Sequence, residues 1–262
     1  MRIAQELFEL GFITYHRTDS VRISSAGIAV AKEYLAAVYG ERYQDVFVPR
    51  MWGTGGAHEG IRPTKPYDVN RLRELIAEGL IEVSIRLTAN HFKLYDLIFR
   101  RFISSQMRPA VVEKALYLAL VKVDGEEVYK QVIDVVTRVV DPGFTEIYMP
   151  IKVVPLPSVE TVLRPSKVVT AVLSDYSMPT QGDIIRWMRD VGIGRPSTYA
   201  KIVDTVIRRG YVIGSKGGAL IPTADGLYVY TLLAGTVFAD ETLDTGSFIE
   251  ILKNVYKKKG YI

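Results

Sequence analysis

The chain has 262 residues, 48% hydrophobic and 24% charged, a mix that excludes disordered and fibrous classes and leaves room for one to three globular domains. No apolar run approaches the ~20 residues of a membrane span, and the N-terminus lacks the basic-then-apolar pattern of a secretion signal, so the chain is read as cytoplasmic. With no cysteine and three histidines far apart, disulfides, thiolate nucleophiles and Cys-ligated zinc are excluded and a histidine-rich metal site is disfavoured.

Chemistry therefore falls to Tyr, Ser, carboxylates or Arg. The net charge of +4 divides into +3 over residues 1–108, −2 over 109–175 and +3 over 176–262. Basic ends around a slightly acidic middle suit an anionic polymer, although such values are ordinary for soluble domains. Three Asn and five Gln, with no Cys, fit the composition of a heat-adapted protein.

Residues 1–108 carry helical periodicity. Ile3, Leu7, Phe8 and Leu10 make one apolar face before Gly11. Ser24 or Ser25 can cap a helix through Ala31, Tyr34, Leu35 and Val38 to Gly40. Thr88 can cap another, with Phe92, Tyr95, Leu97, Ile98, Phe99 and Phe102, to about Gln106, and Pro109 forbids its continuation. Between these last two helices the pattern predicts an irregular loop rich in Gly, Trp and Pro, and such loops are more often functional than decorative.

Residues 109–175 change period. Leu116, Leu118 and Leu120 alternate with Tyr117, Ala119 and Val121, Asp124-Gly125 marks a tight hairpin, and Val128 to Val140 returns as a β-branched strand. Val153 to Val162 is interrupted by Pro155 and Pro157, and Val168 to Leu173 predicts a further strand. This is an antiparallel β domain. Residues 176–262 return to helix: Ile184, Ile185, Trp187 and Met188 on one, the turn Gly192-Ile-Gly194, then Ser197 to Arg209 with Ile202, Val203 and Val206 inward. Tyr211–Ile213, a glycine-rich turn and Ala219–Ile221 predict a wing, and a helix follows from Thr223, so the stretch describes a winged-helix module.

Three constellations carry possible chemistry. Ile13-Thr-Tyr-His-Arg-Thr-Asp-Ser20 gathers a phenol, an imidazole, a guanidinium, hydroxyls and a carboxylate just after a helix. A tyrosine hydroxyl, with its usual pKa near ~10, needs nearby cations such as Arg17 to act as a nucleophile; the plainer reading is a polar turn with a half-buried tyrosine. Gly53-Thr-Gly-Gly-Ala-His-Glu-Gly-Ile-Arg-Pro-Thr64 places His58, Glu59 and Arg62 in a loop whose glycines let backbone approach a phosphate, or serve as scaffolding. Gly192-Ile-Gly-Arg-Pro-Ser-Thr-Tyr-Ala200 puts Arg195, Ser197 and Thr198 at a helix start that favours anions, or simply caps it well.

In this order, the three motifs, together with Leu94–Met107 and Gly192–Val212, resemble a type IA DNA topoisomerase over nearly the whole chain. The histidine after Tyr15, with the amide-poor composition, is similar to the topoisomerase half of the reverse gyrases. The resemblance implies a multidomain α+β fold that is part of a toroid: a helical domain bearing the tyrosine (1–108), an antiparallel β arch (109–175) and a partial winged-helix-like basal domain (176–262). It implies that Tyr15 attacks a phosphodiester of single-stranded DNA to leave a 5′-phosphotyrosine and a free 3′-hydroxyl, with Arg17 and His58 beside it and Asp19 and Glu59 in support. Arg62, Arg195, Ser197, Thr198 and Arg209 would contact the strand.

One departure matters. In the family an N-terminal Toprim domain supplies an Asp-x-Asp that binds Mg²⁺, and this chain contains no Asp-x-Asp; its nearest acidic pair, Glu126-Glu127, lies beside the hairpin turn. The expectation is that this chain binds no metal by itself, that Mg²⁺ comes through a Toprim partner chain or a missing N-terminal segment, and that the chain alone is inactive or weakly active. A helicase-like ATPase is a further possible partner, and none is a membrane. The competing readings are a non-catalytic winged-helix DNA-binding module, indifferent to Tyr15, and a degenerate structural subunit.

Overall fold

In the computed structural model, which describes residues 1–154, 162, 167, 169, 178–234 and 236, the three N-terminal helices form and end where their sequences require. Helix α1 (Arg2–Glu9) buries Leu7 and stops at Gly11, whose φ of +72° is left-handed. Helix α2 (Ser25–Tyr39) starts at Ser24, whose hydroxyl accepts from the Gly27 N–H, and ends at Gly40. A single turn, α3 (Tyr43–Val46), follows.

The stretch expected to be irregular loop between α2 and the next long helix contains a further helix, α4 (Val69–Ala77). Asp68 caps it by accepting from the Asn70 and Arg71 N–H groups, and Leu72 and Leu75 give it a buried face. Val69, Leu72, Leu75 and Ile76 keep helical spacing, but over only nine residues and beside a stretch rich in glycine and proline.

Helix α5 (Ala89–Ser105) is the centre of the N-terminal core. Tyr95, Phe99, Phe102 and Ile103 pack among Leu7, Phe12, Ile13, Ala31, Leu35 and Leu72, each such side chain stabilising the fold by roughly 1.5–3 kcal/mol. Leu97, one of the apolar residues of this helix, is 43% exposed, because burial follows His91, Tyr95, Phe99 and Ile103 at four-residue steps. At the helix start Thr88 and His91 form a capping box: His91 Nδ1 accepts from the Thr88 N–H at 3.1 Å, and its Nε2 reaches Glu6 Oε2 at 2.8 Å. That bond ties α5 to α1 and, against the upward push of burial, holds the Glu6 carboxyl below its ordinary value.

Past α5, the buried Gln106 side chain both accepts from the Arg50 N–H and donates to the Arg50 carbonyl, and Phe47 bridges Met107. The chain then enters a long antiparallel hairpin, β1 (Val111–Val123) and β2 (Glu126–Asp141). Its turn is Asp124-Gly125 with φ of 51° and 88°, as the sequence predicts. At its base Arg108 pairs with Asp141, and Gly143 passes so close to the Pro109 carbonyl that a Cβ there would overlap its oxygen. Val153 bridges Val136 in parallel; most of the remainder of 153–162, and the strand expected at 168–173 apart from Val169, lie outside the described residues.

Contacts group the chain into two units, residues 1–166 and 167–262, so the hairpin groups with the N-terminal helices. In the second unit, α6 (Gln181–Asp190) is capped by Thr180 and Asp183 in a second capping box. Helix α7 (Tyr199–Arg208) follows, then β3 (Val212–Gly214) paired with β4 (Leu220–Pro222), and α8 (Ala224–Leu233), capped by Thr223. Helix, turn, helix and wing appear in the predicted order. The core is Met188, Val203 and Leu220 with Ile184, Ile185, Ile193, Tyr199 and Ile207 around them. Trp187 stands 50% exposed beside buried Met188, and Ile202, expected inward, is 36% exposed, with Val203 and Ile207 facing the core in its place. The architecture is α+β with small antiparallel sheets, and among the described residues no helix is long and apolar enough to cross a membrane.

Candidate active site

A short antiparallel stitch brings the first two motifs together. Ile13 bridges Pro63, the Thr14 N–H donates to the Arg62 carbonyl at 2.9 Å, and the Thr64 N–H donates to the Phe12 carbonyl at 3.1 Å. The Thr14 hydroxyl closes the link by donating to the Gly60 carbonyl at 2.9 Å and accepting from the Arg62 N–H at 3.0 Å. Two segments almost fifty residues apart in sequence thus share one hydrogen-bonded frame.

On this frame the half-buried Tyr15 ring sits 4.6 Å, centroid to centroid, from the exposed His58 ring. Phe8 of α1 meets the other part of the ring edge-on at 5.2 Å. The Tyr15 hydroxyl forms no hydrogen bond among the described residues. Arg17 and Asp19 are exposed on the same turn, and the Arg17 guanidinium touches Gln5 Oε1 at 3.3 Å. A phenol and an imidazole therefore meet at one surface, while the guanidinium two residues on is held by Gln5.

Arg62 does not join them. Only 6% exposed, it forms a two-point pair with Glu59 (Nε to Oε2 2.9 Å, Nη2 to Oε1 2.7 Å) and donates to the Pro63 carbonyl and the Ser24 hydroxyl. All three nitrogens face protein acceptors. Burial pushes the Glu59 carboxyl up, yet hydrogen bonds from Arg62 and Ser24 outweigh it and hold the group below its ordinary value. Gly27 in the first turn of α2 gives the guanidinium its room: a Cβ there would stand 2.7 Å from Arg62 Nε.

His16 is a residue whose burial the sequence does not announce. It is 5% exposed, packed against Phe8 and Tyr15, and neither ring nitrogen has a hydrogen-bond partner among the described residues. Burial, then the charges of Arg17 and the N-terminal amine, lower its pKa, opposed by Glu9. The unfolded imidazole takes up a proton near pH ~6.5 and the folded one only below that, so stability is complete above ~6.5 and falls as pH drops towards the folded value. His16→Met is expected to remove that share of the acid sensitivity and to gain about 1 kcal/mol at pH 8 by deleting two orphan nitrogens. Melting curves between pH 5 and 8 check this; parallel pH dependence in both proteins would refute it.

In the second unit, Arg195 folds back so that Nη1 donates to the Gly194 and Gly192 carbonyls at 2.6 and 3.3 Å, while the Thr198 hydroxyl accepts from the Arg195 N–H at 2.9 Å. Helix α7 begins at Tyr199 rather than Ser197, and Ser197 is exposed. Arg209 lies at the far end of α7, roughly 15 Å of helix away, so these four residues form no single cluster. Among the described residues no three His, Asp or Glu side chains gather as metal ligands.

Comparison with known proteins gives these motifs a family. A sequence model of the DNA topoisomerase family matches residues 1–259. The chain is 48% identical over 237 residues to the reverse gyrase of Pyrococcus furiosus, covering 89% of this chain and 19% of that protein. It is 46% identical over 239 residues to the reverse gyrase of Pyrobaculum aerophilum, covering 89% and 18%. It spans about a fifth of these relatives. Among solved structures, full-length topoisomerase I from Thermotoga maritima is similar with a TM-score of 0.62 at 28% identity, covering 99% of this chain and 42% of that one. With a matched core, the tyrosine turn and its histidine loop in place, the chain belongs to the type IA DNA topoisomerase family.

Proposed function

We propose that this chain is the strand-cleaving part of a reverse-gyrase-like topoisomerase. The Tyr15 oxygen attacks a phosphodiester of an unpaired strand; the bond to the 3′ oxygen breaks, the phenol loses its proton and the leaving oxygen gains one. One phosphate ester replaces another, so religation by the 3′-hydroxyl needs no nucleotide. The observation that carries this reading is the contact between Tyr15 and His58, which gathers two separate motifs at one surface.

His58 and Arg17 stabilise charge on the phosphate oxygens, a contribution of about 3–4 kcal/mol per well-placed donor. Asp19 belongs to the same turn. Glu59 and Arg62 hold the histidine loop rather than the strand, and Arg195, Ser197, Thr198 and Arg209 guide the strand elsewhere along it. Carboxylates and Mg²⁺ from a Toprim domain complete the machinery, and a helicase-like ATPase accompanies it.

The test uses an oligonucleotide labelled at its 3′ end, the chain, a Toprim-bearing polypeptide and Mg²⁺. Under denaturing electrophoresis the label is expected to travel with this chain, and mass spectrometry to place it on the peptide containing Tyr15. No retained label, or a label on another residue, rejects the reading and leaves a DNA-binding module without chemistry.

A further inference from the structure

Trp52 is an exposed tryptophan held in one position. Its backbone has φ of 60°, a region bulky residues rarely adopt, and its indole N–H donates to the Ser105 carbonyl at the end of α5 at 3.2 Å. The Arg50 guanidinium lies 5.5 Å from its ring and is itself fixed on the Ser105 and Met107 carbonyls. More than half of the Trp52 surface, 55%, stays open.

Two clefts meet at this residue. One, of about 520 Å³, runs beside Ser20, Gly60 and Ile61, the segments that carry the catalytic turn and the histidine loop. The other, of about 510 Å³, reaches Phe144 and Tyr148 at the base of the hairpin. Both are bordered by Trp52, Arg101 and Ser105, and neither is lined by a carboxylate. A third cleft, of about 420 Å³, is lined by Asp68, Asp96 and Glu146 around Arg100 and would repel phosphate.

Arg101 is the free charge of this groove. Its neighbours Arg100 and Arg108 are paired with Asp96 and Asp141, whereas exposed Arg101 has no carboxylate or hydrogen-bond partner among the described residues and lies 6.0 Å from the Tyr148 ring. An exposed ring, an unpaired guanidinium, a second aromatic and no acid are the ingredients of a sequence-tolerant site for unpaired nucleic acid.

We propose that the Trp52–Arg101 groove is a binding site for single-stranded DNA, with a base stacked on Trp52 and a phosphate on Arg101, continuing from the catalytic turn towards the hairpin base. The site rests on the function proposed above for the identity of its polymer, not for its geometry.

The chain has two tryptophans, so Trp187→Phe leaves Trp52 as the sole indole reporter. With Tyr15→Phe also present no bond is made, and a 12-nucleotide oligothymidylate with a fluorescent end reports binding by anisotropy. Trp52 emission is expected to be quenched with the anisotropy midpoint. Trp52→Ala should weaken binding roughly 5- to 150-fold, the range for one stacked base, while Trp52→Phe keeps most of it. Arg101→Ala should reduce the slope of log affinity against log salt by about 0.7. Emission that stays constant while anisotropy rises, or no binding at all, overturns the site; constant emission is also the result if the groove seats a polypeptide. The adduct experiment judges Tyr15 separately, so either conclusion can fall without the other.

Discussion

Tyr15→Phe is expected to abolish covalent capture of the labelled oligonucleotide while changing the folding free energy by less than about 0.5 kcal/mol. The two effects separate because the hydroxyl holds nothing in place among the described residues, while the ring contacts with Phe8, His16 and His58 are kept by phenylalanine. The neighbouring hydroxyls, by contrast, take part in local hydrogen bonds. Thr14 is engaged with Gly60 and Arg62, Thr18 accepts from the Ser20 N–H, and Ser20 accepts from the Arg22 N–H. Denaturing electrophoresis and calorimetry on the same preparation read both quantities. A surviving adduct moves the nucleophile to another residue, and a large drop in melting temperature assigns Tyr15 a structural role.

Arg62→Ala is the converse case, with a large cost in stability and only an indirect one in chemistry. It leaves the Glu59 carboxylate, whose side chain is 17% exposed, buried without its counter-charge, and breaking such a pair typically costs about 3–5 kcal/mol. Joint replacement by Arg62→Met and Glu59→Gln should cost less than Arg62→Ala alone, since no uncompensated charge remains. Urea titrations measure the difference. If Arg62→Ala instead leaves the midpoint unchanged and flattens the salt dependence of oligonucleotide binding, Arg62 serves the strand, as its motif suggests.

Much of this is legible in the sequence because local chemistry and fold agree. Ser24, Thr88, Asp124-Gly125 and Thr223 each act where their residue type predicts, and the helix-turn-helix and wing follow in order. The joining of the tyrosine turn to the histidine loop is suggested by family resemblance alone, since no periodicity links Thr14 to Gly60. What stays hidden depends on tertiary partners. Arg62 looks like a phosphate ligand in a one-dimensional string, and only the position of Glu59 three residues earlier hints at its burial. His91 reads as one more polar residue on α5 until Glu6 is seen opposite it. Trp52 gives no sign of its backbone conformation, because the constraint comes from Ser105, fifty-three positions later.

The buried Glu59–Arg62 pair also has a consequence for how the molecule answers temperature. The penalty for stripping water from ions shrinks on warming, so this contact becomes relatively less costly while apolar burial levels off. Because the same arginine backbone is hydrogen-bonded to Thr14, melting of the histidine loop would unseat Tyr15 in the same cooperative event. A molecule warmed past its limit would therefore lose the placement of Tyr15 and His58 together.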